Sequence, residues 1–245
     1  MALKPRVGKN NQQTTTLTLD EKQVSHKEKI RQIIKKPKEK FLTKNQEIYW
    51  NILGENQITL CFGPAGVGKS YIAMKRAVDL LWDDSNKYEK IIIVRPAVEA
   101  EEKLGSLPGG LEEKLDPYIY PSYYLLNKII GKEAREDLKN MGYIEVAALA
   151  YMRGWNVDNT ILVFEEAQNA TPSQIKLLLT RIGYNSKFFI SGDLEQSDKF
   201  RDKTKSGLFD AKMRLQDVKG IGIFEFGMQD IVRNPIIGEI LNRYD

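Results

Sequence analysis

Residues 63–70, Gly63-Pro64-Ala65-Gly66-Val67-Gly68-Lys69-Ser70, fit the phosphate-loop pattern GxxxxGK[ST] position for position. The glycines allow the backbone to wrap an anion and turn its N–H groups inward. An apolar run, Ile58-Thr59-Leu60-Cys61-Phe62, precedes the loop and predicts a buried strand. Tyr71 to Trp82 follows with helical character, so the positive end of a helix dipole points at the same anion. Lys69 is placed to neutralise the β- and γ-phosphates, and the Ser70 hydroxyl to ligate Mg²⁺. Strand, loop and helix together imply a nucleoside-triphosphate site in an α/β fold, with Gly63 to Ser70 and Tyr71 as the binding set.

At 245 residues and 42% hydrophobic, the chain has enough apolar material for a proper core. No apolar run approaches the roughly 18 residues of a membrane span, and the N-terminus lacks a secretory signal pattern. One cysteine and one histidine exclude an internal disulfide and a zinc site, and Cys61, in the apolar strand, is expected to be a packing residue. A cytoplasmic setting follows from these features by default. The net charge of +4 is uneven: residues 1–40 hold 11 Lys/Arg against 4 Asp/Glu, the remainder 26 against 29. The sequence therefore divides into a basic arm, 1–40, and a body, 41–245. Met1 to about Asp20 reads as disordered, and Glu21 to Lys36 as a lysine-rich helix ended by Pro37. The arm is either a segment that holds RNA or single-stranded DNA or a solubilising tail; charge alone does not choose. His26 has no evident chemical partner in the sequence.

Beyond the loop, strands alternate with helices. Lys90–Val94, Tyr143–Leu149, Thr160–Phe164, Lys187–Ile190 and Ile221–Phe226 read as strands. Glu47–Leu53, Glu112–Ile130, Gln174–Ile182 and Pro235–Tyr244 read as helices. This is the pattern of one doubly wound, mainly parallel sheet flanked by helices, in which ligands sit beyond the carboxyl ends of the strands. The strand ends carry the expected chemistry. The fourth strand runs into Glu165-Glu166, one acid for Mg²⁺ and one to polarise the attacking water. The fifth ends in Ser191-Gly192-Asp193-Leu194-Glu195-Gln196, where Gln196 is placed to sense a γ-phosphate. Arg233, in Asp230-Ile231-Val232-Arg233-Asn234-Pro235, is a candidate arginine finger. Upstream, Thr43 and Gln46 have capping-box spacing, while Gln46 also matches the adenine-reading glutamine of helicase-like ATPases.

With these residues assembled, the chain resembles the PhoH-like ATPases from about Phe41 to Asn242. The segments GPAGVGKSYIA, VRPAVEAEEKLGSLPGGLEEKLDPY, IEVAALAYMRG, EEAQN, SGDLEQSD, SGLFDA and DIVRNP stand in the family's order. The resemblance implies a RecA-like core related to superfamily-one helicases, with Gly192 to Gln196 similar to the GDxxQ helicase motif. It further implies ATP as the nucleotide, a cytoplasmic protein of bacteria or their phages, and a hexameric ring; some relatives carry an added nuclease domain, for which 245 residues leave no room, so a stand-alone form is expected. One departure is Glu165, where the family usually has aspartate. Mg²⁺ holds its ligands at about 2.0–2.1 Å with little tolerance, so the longer acid predicts retained binding and altered hydrolysis.

Analogy with helicase sheets makes Arg95, Lys103 and Arg153 candidates for a nucleic-acid path. The cluster Tyr118, Tyr120, Tyr123 and Tyr124 is either a stacking surface or helix packing. Three functions are then open: an oligomeric ATPase coupled to single-stranded RNA or DNA, an ATP-gated scaffold with little turnover, and a small-molecule kinase. The GDxxQ-like and arginine features argue against the kinase.

Overall fold

The computed structural model describes residues 25–85, 87–96, 111–196 and 202–232, together with Arg243. Six strands form one sheet: β1 (Ile58–Phe62), β2 (Lys90–Arg95), β3 (Ile144–Ala148), β4 (Thr160–Phe164), β5 (Lys187–Gly192) and β6 (Ile221–Glu225). Their order is β3-β2-β4-β5-β1-β6, and every pairing is parallel. Parallel neighbours need crossovers, and the crossing helices cover both faces of the sheet. Hence β1, β4 and β5 are buried along their whole length. The edge strand β6 is only half-buried.

Period-two alternation divides the core into two layers. Cys61, Ile91, Ile93, Ile161, Val163 and Phe189 face one side. That side is covered by α1 (His26–Ile33), α2 (Lys44–Glu55), α3 (Lys69–Trp82), α4 (Leu111–Ile130) and α5 (Lys132–Asn140). Leu60, Phe62, Ile92, Leu162, Phe164, Phe188 and Ile190 face the other, under α6 (Pro172–Leu179) and α7 (Gly207–Leu215). Burial pushes the Cys61 thiol up to about 12, so it packs and does not react. No helix among the described residues is long and apolar enough to cross a membrane.

Most expected elements are present with small shifts of boundary. β2 runs one residue further than its apolar stretch, because Arg95 continues the ladder against Ala148. β5 extends to Gly192, paired with Phe62. The helices α5 and α7 were not expected. The helix expected at Pro235–Tyr244 lies outside the described residues.

The second half of the basic arm departs most from its sequence reading. Its helix is shorter, closed at the start by a capping box in which Glu28 N donates to Ser25 Oγ (3.1 Å) and Ser25 N to Glu28 Oε2 (2.7 Å). Ile30 and Ile34 are buried in the core layer that α3 covers. His26 has partners after all: Nε2 donates to Glu89 O at 2.6 Å, and the ring packs edge-on to Tyr143. Two basic residues of the arm serve α3. Lys27 Nζ donates to Leu81 O (2.7 Å), and Arg31 Nε to Trp82 O (3.3 Å) with its guanidinium over the Trp82 ring. Cations on the last carbonyls of a helix complement its dipole. Ile30→Ala is expected to cost about 2–5 kcal/mol in urea unfolding, the range for a buried aliphatic side chain; a cost near zero would mean that α1 does not hold to the body.

Candidate functional site

The carboxyl ends of β1, β4 and β5 meet at one cleft of about 1000 Å³. The register sets this up. Phe62 pairs with Gly192 and Phe164 with Ile190, so the phosphate loop, the acid pair and the Asp193 turn leave the sheet side by side. Lys69 and Ser70 line the cleft from the loop, Glu166 from β4, and Ser191, Asp193 and Gln196 from β5.

Gly68 is the N-cap of α3 at φ 92°, a left-handed conformation, and a Cβ there would meet Gln46 Nε2 at 2.9 Å. Gln46 is buried and works as a clamp. Its Nε2 donates to Val67 O and its Oε1 accepts from Leu42 N, both at 2.9 Å. Thr43 caps α2 as expected, accepting from Gln46 N at 3.2 Å. The return half of the capping box is absent, because the glutamine amide is committed to the loop and to Leu42. Both polar groups of the amide, which the sequence offers for adenine, hold main chain here, and Gln46 also lines the cleft. Lys69 Nζ donates to Gly63 O (2.6 Å) and Pro64 O (2.9 Å), which keeps the ammonium at the mouth of the loop. Val232 N donates to Gly66 O at 3.1 Å, so the segment after β6 touches the loop. Arg233 itself lies outside the described residues.

The two acids differ sharply. Glu166 is exposed and left-handed, at φ 55° and ψ 35°. Such a conformation in a non-glycine residue costs about 1–3 kcal/mol and needs surrounding support. Gln168 supplies it. Its Nε2 donates to Glu166 Oε2 (2.7 Å) and Gln196 O (3.2 Å), while Oε1 accepts from Asp193 N (3.1 Å). The buried amide therefore ties the end of β4 to the turn after β5. Gly192 leaves room for it, since a Cβ there would lie 2.5 Å from Gln168 Oε1. The sequence reading placed Gln168 inside the EEAQN segment without a task.

Glu165 is fully buried. Its Oε2 accepts from the Ser122 hydroxyl and lies 3.5 Å from Arg95 Nε. Its Oε1 is buried without a hydrogen-bond partner. That orphaned oxygen is free to take a cation or a cation-bound water, and the Ser70 hydroxyl, which lines the cleft, is a second oxygen of the kind Mg²⁺ takes. Among the described residues no three His, Cys, Asp or Glu side chains gather to hold a metal unaided.

The family model described as PhoH-like protein matches residues 39–245. The chain belongs to the PhoH-like family. It is 44% identical over 203 residues to a PhoH-like protein of Bacillus subtilis, covering 83% of this chain and 63% of that protein. To the protein PhoH of Escherichia coli K12 it is 35% identical over 198 residues, covering 80% of this chain and 55% of that one. The chain thus spans between about half and two thirds of the length of these relatives. Among solved structures, Bacteroides Pif1 bound to ssDNA aligns with TM-score 0.37 at 15% identity, over 84% of this chain and 46% of that one. Pif1 helicase from Candida albicans aligns with TM-score 0.40 at 13% identity, over 84% and 44%. At these scores the likeness carries no weight for the site.

Four further expectations for this PhoH-like chain concern nucleic acid. Arg95 is not a free contact, because it is engaged by buried Glu165 and donates Nη1 to Tyr118 O at 3.0 Å. Its side chain is 19% exposed, so part of it still meets solvent. Lys103 lies outside the described residues. Arg153 is exposed, between exposed Tyr151 and Trp155. The tyrosine cluster divides. Tyr123 is buried under the Arg135 guanidinium, 4.5 Å from the ring centroid, whereas Tyr120 and Tyr124 are exposed. Tyr124 lines the cleft.

Replacing Gln168 by alanine removes partners from Glu166, Asp193 N and Gln196 O together. It is expected to lower unfolding stability by about 1–3 kcal/mol, the cost of leaving the buried Asp193 N–H unsatisfied. Urea titration of the variant beside wild type measures this.

Proposed function

We propose that this protein is a Mg²⁺-dependent ATPase whose turnover is coupled to a single-stranded nucleic acid, RNA ahead of DNA, in a ring of like subunits. The observation that carries the proposal is the convergence on one cleft of Lys69 and Ser70 with Glu166, whose carboxylate is held by Gln168 at 2.7 Å. In this reading the loop amides and Lys69 bind the phosphates. Ser70 and Glu165 hold Mg²⁺, which when bound neutralises charge developing on the phosphate oxygens. Glu166 polarises the attacking water, and its fixed orientation lets it act without rearrangement. Gln196, on the turn that Gln168 ties to Glu166, reports the γ-phosphate. Arg233 supplies transition-state charge. A single domain of this kind cannot step along a strand alone, which is the reason for proposing a ring.

Nucleic-acid coupling is supported by the turn after β3. Tyr151 and Trp155, 53% and 40% exposed, flank exposed Arg153. Arg181 Nη1 donates to Trp155 O at 3.3 Å and steadies the turn. Exposed rings beside a guanidinium suit stacking of bases and contact with phosphates, at about 1–3 kcal/mol per stacked base.

Phosphate release from ATP with Mg²⁺, with and without single-stranded RNA, tests the proposal. Wild type should turn over and be stimulated by RNA, while Lys69→Ala and Glu166→Gln should each lose at least about 100-fold in rate, the scale of removing a preorganised charge or base. Tight ATP binding without turnover in either condition would replace it with a nucleotide-gated scaffold. Trp155→Ala should weaken RNA about 5- to 100-fold in a filter or anisotropy titration while leaving RNA-free hydrolysis unchanged. Unchanged RNA affinity would remove the turn after β3 from the path.

A further inference from the structure

Glu165 follows Ile161 and Val163 on the α3 and α4 side of the sheet, and its N–H extends the ladder to Val94 O at 3.1 Å. It therefore points between the strands and α4, where Ser122 is fully buried beside Ile119 and Tyr123. A hydroxyl removed from water needs a partner. The partner of Ser122 is Glu165 Oε2, and the pair is separated by 43 residues of chain. Arg95 Nε approaches the same oxygen at 3.5 Å, and Arg95 is anchored in turn to Tyr118 O, one helical turn before Ser122. Both groups that hold the acid thus belong to α4 or lean on it. Both hold one oxygen and leave Oε1 without a partner.

We infer that Ser122, supported by Arg95, is a positioning residue that fixes Glu165 by Oε2 and offers Oε1 to the metal of the nucleotide complex, directly or through a metal-bound water. The inference rests on the Mg²⁺–nucleotide reading above. Glutamate has one more rotatable bond than aspartate, and an untethered glutamate would hold a cation with little precision. The Ser122 hydrogen bond removes that freedom. Groups of this kind, hydrogen-bonded to a ligand and not to the ion, typically change metal affinity by about 10- to 100-fold when mutated.

The test is Mn²⁺ titration, followed by the paramagnetic signal of the free ion, into the protein carrying a non-hydrolysable ATP analogue. Analogue affinity in EDTA is measured in parallel. Ser122→Ala is expected to weaken Mn²⁺ about 10- to 100-fold with metal-free analogue affinity unchanged, and Ser122→Thr to restore it. Should the alanine variant not fold, Ser122→Cys keeps the volume, replaces a strong donor by a weak one, and carries the same expectation. Wild-type Mn²⁺ affinity in a folded Ser122→Ala or Ser122→Cys protein would overturn the inference, even with lowered thermal stability. A wild-type protein that binds no analogue with or without metal would instead overturn the nucleotide reading beneath it.

Discussion

β1 is hydrogen-bonded on both sides, to β5 and to β6, and the phosphate loop hangs from its last residue. That double pairing fixes the point at which the loop leaves the sheet. It also places β5 between the loop strand and the acid strand β4, so the acid pair leaves the sheet one strand away from the loop strand. Gln168 and Gln46 then act as struts. One ties the end of β4 to the turn after β5; the other pins Val67 O of the loop to the start of α2. The cleft is consequently defined by main-chain positions that the sheet fixes, with side chains adding charge.

The two neighbouring glutamates show how environment separates chemically identical residues. Glu165 lies in the layer beneath the loop, fully buried, hydrogen-bonded and beside an arginine. Glu166 turns out through a left-handed residue into the cleft, where Gln168 orients it. Burial suits the first to a fixed electrostatic task and exposure suits the second to meeting water. The alternation of a strand, which sends successive side chains to opposite faces, starts this division.

What was legible in the sequence and what was not follows from the range of each signal. The phosphate loop and the strands at Ile58–Phe62 and Thr160–Phe164 depend on neighbouring residues, and their bounds are found as expected. α5 went unread because Lys-Glu-Ala-Arg-Glu-Asp-Leu-Lys-Asn buries only Arg135 and Leu138, too little for an apolar stripe. α7 opens on Gly207, a poor helix former kept there because a Cβ would lie 2.3 Å from Thr171 O. In the site, residue types tied to phosphate chemistry were identifiable by spacing. Partners that meet only through the fold were not: Ser122 with Glu165, Arg95 with both Glu165 and α4, and Gln168 with Asp193. The docking of α1 on the end of α3 was not legible for a related reason. A run of lysines reads the same whether the charges face water or the ends of another helix.

α3 has 14 residues, a rod of about 21 Å with the phosphate loop at one end and bare carbonyls at the other. α1 covers those carbonyls with Lys27 and Arg31, yet the family match begins only at residue 39. The portion of the chain marked by kinship and the portion that balances the electrostatics of α3 are therefore different lengths. A fragment trimmed to the shared segment would keep every residue of the cleft, but it would leave the far pole of the helix that presents Lys69 uncompensated.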